Sequence, residues 1–183
     1  MKNLVGAQNQ RDLHRAEADL SNARTIQLLD HQLIDATRDG VEIRGLHRHL
    51  FQDIYPWAGA YRRIDMRRGA GEFFAPFVMV PNLVDTMCAT LFAVDNLRGL
   101  DRRDFLRGLA DFYDQLNYAH PFRDGNGRAQ RLFWSRVAFD AGWILDWRPV
   151  KGVELDESSR LARENADFQP LLATLDRCLT VRG

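Results

Sequence analysis

His120-Pro121-Phe122-Arg123-Asp124-Gly125-Asn126-Gly127-Arg128-Ala129-Gln130-Arg131 joins two helical patterns and carries the densest chemistry in the chain. Upstream of it, Phe105, Leu109, Phe112 and Leu116 recur at helical spacing behind Asp101, whose side chain can cap a first turn. A residue before proline is pushed out of the α region, so that helix is expected to end near His120. Downstream, Leu132, Phe133 and Val137 begin a second stripe that Gly142 can close. Between the two, Gly125 and Gly127 flank Asn126 where a helix opens. Backbone N–H groups and the positive end of the helix then face one small volume suited to an anion. Arg128 and Arg131, three apart, share a helix face and can reach different phosphates of one polyphosphate. Asp124 offers the single carboxylate that a hard divalent ion such as Mg²⁺ takes beside phosphate oxygens. His120 offers a base that ordinarily titrates near working pH. The combination describes transfer from a nucleotide to a hydroxyl. Each part alone has a plainer explanation: a histidine at a helix end, Asp-Gly and Asn-Gly turns, arginines facing solvent. Phe122 reads as a core anchor for the loop and Arg123 as exposed.

Working outward, the chain is overwhelmingly helical. Leu13, Ala16, Leu20 and Ala23 mark a stripe through about residues 10 to 30, and Ile43, Leu46, Leu50 and Ile54 mark the next. Leu83, Met87 and Leu91 repeat it through 82 to 97, and two short helices are expected at about 156 to 165 and 169 to 180. With no repeat, low-complexity tract or Gly/Ser linker, residues 1 to 183 read as one domain. The exception lies at about 62 to 78, where two short extended runs surround Gly69-Ala70-Gly71 and predict a β-hairpin. Pro76 cannot donate to a ladder, so its strand is an edge or ends there. A lone hairpin on a helical body also offers a backbone edge to an extended peptide.

Composition removes other classes of function. The 183 residues are 45% hydrophobic and 27% charged, enough for one packed core. The 25 basic and 25 acidic residues cancel, so neither a general nucleic-acid binder nor a membrane-surface binder is indicated. Cys88 and Cys178 have neither disulfide-scaffold nor metal spacing, and the amino-terminal stretch lacks an apolar leader core, so a reduced cytoplasm is expected.

Taken whole, the segment from His120 to Arg131 closely resembles the signature of the Fic family, HxFx(D/E)GNGRxxR, with every defined position matched. The stretch from His49 to Gly59, which contains Tyr55-Pro56-Trp57-Ala58-Gly59, resembles the family's approach to its flap, and the similarity runs from about residue 10 to 178. The resemblance implies an all-α, Fic-type helical bundle with a small β-hairpin flap over the active site. It implies transfer of AMP from ATP to a Ser, Thr or Tyr hydroxyl of a target protein. By position, His120 is the base and Asp124 holds Mg²⁺. Asn126 and Arg128, with the backbone of Gly125 and Gly127, hold phosphates, and Arg131 grips the γ-phosphate. Arg68, Gly69, Gly71 and Phe74 fall on the flap that docks the target. Many relatives have lysine where Arg68 stands and a second proline where Phe77 stands, which bears on target preference and not on chemistry. In the Doc branch a lysine replaces Gly127 and the γ-phosphoryl is transferred, so glycine favours AMP transfer. A Fic-fold kinase, a transferase of another nucleotidyl group or of phosphocholine, and a catalytically silent nucleotide-binding module are the competing readings.

Regulation is expected from outside. The family's inhibitory helix carries the pattern (S/T)xxxE(G/N), which the sequence lacks; the nearest candidate, Glu164-Asn165, has Arg160 four residues before the glutamate. The resemblance therefore points to the toxin-like class, restrained by a small antitoxin that inserts a glutamate beside Arg131. It also points to a bacterial cytoplasmic target such as a topoisomerase subunit, with delivery into a host as the other location such relatives use.

Overall fold

The apolar stripes close on one another as a helical bundle. A computed structural model describes residues 2–31, 33–69 and 71–183; Ala70, in the expected glycine turn, lies outside them. Along the chain run α1 Gln10–Asp30, α2 Gly40–Phe51, α3 Val80–Ala93, α4 Arg102–Ala119, α5 Asn126–Asp140, α6 Gly152–Asn165 and α7 Gln169–Cys178. Helix α4 is central, packed by α3, α5, α6 and α7, while α2 lies between α1 and α5. Leu46, Leu50 and Phe51 of α2, Phe105 and Leu109 of α4, and Phe133 and Trp134 of α5 are fully buried. Each such side chain stabilises the fold by about 1.5–3 kcal/mol relative to exposure.

Helix ends are set by their own residues. Asp39 accepts from the N–H groups of Val41 and Glu42 to start α2. Asp101 accepts from Asp104 N–H at 2.9 Å to start α4, as its spacing predicts. Helix α4 ends at His120, in the left-handed region at φ 41° and ψ 61°, with its N–H on Leu116 O at 3.0 Å. Helix α5 begins six residues later at Asn126 and ends at Ala141-Gly142. The end of α4 and the start of α5 therefore meet around residues 120 to 126.

Some expectations need amending. The inward face of α1 is Leu13, Glu17 and Ser21, with Ala23 exposed. Polar residues turn inward there because Arg128 is waiting for them. The stripe at 82 to 97 breaks after Ala93 into a 3₁₀ turn at Asp95–Leu97, whose three residues have positive φ. Ile54 is buried but lies beyond α2, where the Ile54 and Tyr55 N–H groups fold back onto Phe51 O.

Strands β1 Trp143–Leu145 and β2 Leu179–Val181 pair antiparallel, Ile144 opposite Thr180, and close the bundle beside α5 and α7. The residues expected as a hairpin do approach antiparallel, but over one bridge, Arg67 to Phe73, with Phe74 N–H on Met66 O at 3.0 Å. Pro76 ends the run by starting a 3₁₀ turn at Phe77–Met79. Among the described residues no helix is long and apolar enough to cross a membrane.

Candidate active site

The loop between α4 and α5 is built from beneath by buried side chains. Asn126, 6% exposed, accepts from Phe122 N–H and donates to Phe122 O, both at 2.8 Å. Its amide ties the loop to itself, so what it offers a ligand is its backbone N–H. Phe122 is buried and stacks on His47, ring centroids 3.8 Å apart. His47 accepts the Gly59 N–H at Nδ1, which fixes the proton on Nε2; that nitrogen donates to Asp124 O at 2.9 Å. Burial, with Arg128 adding to it, pushes the His47 pKa down to about 4, so its ring is neutral. Gly125 stands at φ 74°, and a Cβ there would sit 2.4 Å from the Phe51 ring. Only glycine meets both conditions.

This framework opens α5 toward a cavity of about 340 Å³ lined by His120, Asp124, Gly125, Gly127, Arg128 and Arg131, with Arg68 and Phe74 from the flap. Among the described residues no side chain caps α5, which leaves its first N–H groups unpaired at the helix end whose Asn126 and Gly127 line the cavity. The two arginines have different surroundings. Arg128 donates to Glu17, which is 4% exposed, and to Ser21 Oγ at 3.0 Å, and it lies over the Phe51 ring. Arg131 has no hydrogen bond or ion pair among the described residues and borders the cavity. A Cβ on Gly127 would meet only Arg131 Nη1, at 4.0 Å. Glycine there keeps open the space that Arg131 borders. Asp124 is half-buried, and its carboxylate accepts only the adjacent Gly125 N–H among the described residues. Among those residues no cluster of three His, Cys, Asp or Glu side chains could hold a metal unaided. One free carboxylate beside an anion cradle fits an Mg²⁺ ion that arrives with phosphate oxygens.

His120 is 7% exposed, and Phe74 lies flat against it, centroids 3.6 Å apart and planes 7° from parallel. Its Nδ1 is buried and, among the described residues, has no partner at full hydrogen-bond geometry. Burial and then the Arg68 cation push its pKa down to about 3, against the pull of the Asn117 backbone. The imidazole is thus a neutral base before any ligand arrives.

The flap is held from the other side by α6. Arg68 pairs with Asp156 at 2.7 Å, and Glu72 N–H reaches Glu164 Oε1 at 3.3 Å. Glu164 is otherwise bound to Arg160, away from Arg131. Gly71 N–H closes the turn onto Arg68 O, and a Cβ on Gly71 would press Glu164 at 3.1 Å; Gly69 has open space. Flap and α6 enclose a second cavity of about 320 Å³, lined by Phe73, Tyr118, Val153 and Arg163 and sharing Arg68, Phe74 and Asp156 with the first. Arg163 lies over the Tyr118 ring and pairs with Asp114. His47, Glu17, Asp156 and the buried Arg62 were not distinguishable as site residues from their spacing. His47 lies two positions before His49, and Arg62 opens the stretch 62 to 78 that reads as a hairpin, but neither spacing marks a role in the site.

The model of the Fic/DOC family matches residues 39–138. The chain is 32% identical over 159 residues to protein adenylyltransferase VbhT of Bartonella schoenbuchensis, covering 87% of this chain and 33% of that protein. It is 31% identical over 151 residues to the "Probable protein adenylyltransferase Fic" of Escherichia coli, covering 82% of this chain and 74% of that one. The crystal structure of BepC from Bartonella tribocorum, with bound AMPPNP, superposes with a TM-score of 0.94 at 23% identity over 100% of this chain and 93% of that one. At that identity the likeness is one of fold. The chain spans a third of the length of VbhT.

Proposed function

Since the chain belongs to the Fic/DOC family, we propose that it is a protein adenylyltransferase that moves AMP from ATP to a Ser, Thr or Tyr hydroxyl of a target protein. The observation that carries this is the pair of adjoining cavities that share Arg68, Phe74 and Asp156, one polar and ringed by the α5 N-terminus, Arg131 and His120, the other more apolar and set between flap and α6. A nucleoside triphosphate has that division of character. Its base and ribose suit the Phe73, Tyr118 and Val153 walls, and its phosphates suit the α5 N–H groups and Arg131. Mg²⁺ held on Asp124 would neutralise phosphate charge.

In this arrangement His120 takes the proton of the incoming hydroxyl as its oxygen attacks the α-phosphorus. The bond to the β-phosphate oxygen breaks and pyrophosphate leaves. Arg128, locked by Glu17, shapes the cradle, while Arg131 is the cation free to follow the leaving group. Phe74 shields the base from water, and Arg68 with Asp156 spans the boundary between base-binding and phosphate-binding halves.

The partners proposed are a hydroxyl-bearing target protein docked along the flap at Arg68, Gly69, Gly71 and Phe74, with a bacterial topoisomerase subunit as the first candidate. A small antitoxin would place a glutamate beside Arg131, since Glu164 is occupied elsewhere. The setting proposed is the bacterial cytoplasm. The chain and its His120→Ala variant are incubated with bacterial lysate, Mg²⁺ and ATP labelled at the α- or γ-phosphate. Label on protein from α-labelled ATP only, and only with His120, is the expected result. Label from γ-labelled ATP alone would make the protein a kinase, and label from neither would refute adenylyl transfer to any protein in that lysate.

A further inference from the structure

Arg62 is 2% exposed, yet it faces no tight carboxylate partner: among the described residues the nearest is Asp65, at 3.9 Å and half-exposed. Its guanidinium is instead directed at backbone carbonyls from two separate segments. Nε donates to His120 O at 2.8 Å and Nη2 to Ala119 O at 3.2 Å, both at the C-terminus of α4. Nη1 donates to Ile64 O at 2.7 Å and Nη2 also to Ala75 O, on the two sides of the flap. The Arg62 N–H adds Pro121 O at 2.8 Å, so the carbonyls of Ala119, His120 and Pro121 all end on this residue.

The last carbonyls of a helix have no partner within it, and a non-glycine residue in the left-handed region is strained. His120 has both problems, and Arg62 answers both. Only a planar fork of donors can serve four carbonyls lying around it; a lysine ammonium on the same stem lacks that geometry. A buried cation held mainly by carbonyls is itself unfavourable. Tethering two segments that must meet gives it a purpose. Ala75 N–H also rests on Tyr118 O at 3.0 Å, and Phe74 is the residue that stacks on His120.

We propose that Arg62 is the positioning residue of this site, holding the backbone of His120 and the root of the flap in one rigid unit so that the base and its Phe74 cover keep their arrangement. The inference rests on the adenylyl-transfer reading for its kinetic test only. Arg62→Ala is expected to lower kcat about 100-fold, the scale of a misplacement of about 1 Å, while KM for ATP changes less than about threefold. Guanidinium ion at non-denaturing concentration restores about a tenth of the wild-type rate. Arg62→Lys keeps the charge but stays at least about tenfold down. Arg63→Ala, one position along and exposed, is the control that behaves as wild type.

Amide exchange on the same proteins reads the tether without activity. Arg62→Lys should speed exchange about tenfold or more at both Ala75 and His120 while α2 and α3 keep their protection. Unchanged kcat, no guanidinium rescue, loosening on one side alone, or loss of protection in α2 and α3 as well would each overturn the proposal. A wild-type chain that transfers nothing, with exchange loosening on both sides in the variant, would refute adenylyl transfer and leave the tether standing.

Discussion

The loop at residues 120–131 and the flap at 62–78 face the same cavity, and they are held by different means. The loop rests on buried partners within reach of its own motif: Asn126 on Phe122, Gly125 against Phe51, and His47 beneath Asp124. Among the described residues the flap has one β-bridge and internal hydrogen bonds from Phe74 to Met66, Gly71 to Arg68 and Phe77 to Asp65, and is otherwise held by Arg62 at its root and by α6 at its tip. Buried, fully bonded groups make a geometry expensive to leave, whereas exposed ion pairs hold weakly. The loop side of the cavity is held by buried contacts and the flap tip by exposed ones, a division that suits the proposed adenylyl transfer, with a fixed donor and a protein acceptor.

The comparison breaks most severely at His120, the proposed base. His120→Ala should lower transfer by about 10²–10⁴-fold, with a melting temperature close to wild type, as read in the labelled-ATP assay. Next comes Gly125→Ala, in which strain at φ 74° and the clash with Phe51 add to about 2–4 kcal/mol of destabilisation, checked by urea unfolding. Glu17→Ala should destabilise by about 1–2 kcal/mol, because Arg128 would keep partial solvent access after losing its buried partner. Arg68→Ala should have the smallest effect on stability, less than about 1 kcal/mol, since both partners of its pair with Asp156 are half-exposed. Its signature is faster amide exchange confined to the flap.

Acid sharpens the same contrast. His47 and His120 have folded pKa values of about 4 and about 3, below the ordinary 6.5 of an unfolded chain. The unfolded state therefore binds more protons as pH falls below 6.5. Stability is fully present above that value and declines toward pH 3–4, each ring adding a slope of up to about 1.4 kcal/mol per pH unit. Bound ATP should offset the Arg68 cation that helps depress His120. The acid limb of kcat at saturating ATP should then lie at higher pH than that of kcat/KM, in a pH–rate series with ATP varied.

The sequence made one of these regions far more legible than the other. His120, Asp124, the Gly-Asn-Gly turn and both arginines lie within twelve consecutive positions, so local spacing was enough to bring them to one cavity. Apart from α1, whose inward face is largely polar, the helices were legible from their stripes, and Asp101 from its capping position. What escaped depends on distant pairing. Glu17 meets Arg128 across 111 positions and Arg62 meets His120 across 58, which no local period encodes. Strands β1 and β2, three residues each and paired across α6 and α7, are too short to show alternation. The division of labour between Arg128 and Arg131 was equally hidden, because it is set by the polar face of α1.

A crystal structure of the chain with Mg²⁺ and a non-hydrolysable ATP analogue tests the central claim most directly. The prediction is an unmoved loop, base and ribose between flap and α6, the α-phosphate facing His120 and the γ-phosphate at Arg131. A γ-phosphate facing His120, or a nucleotide outside the two adjoining cavities, would contradict it.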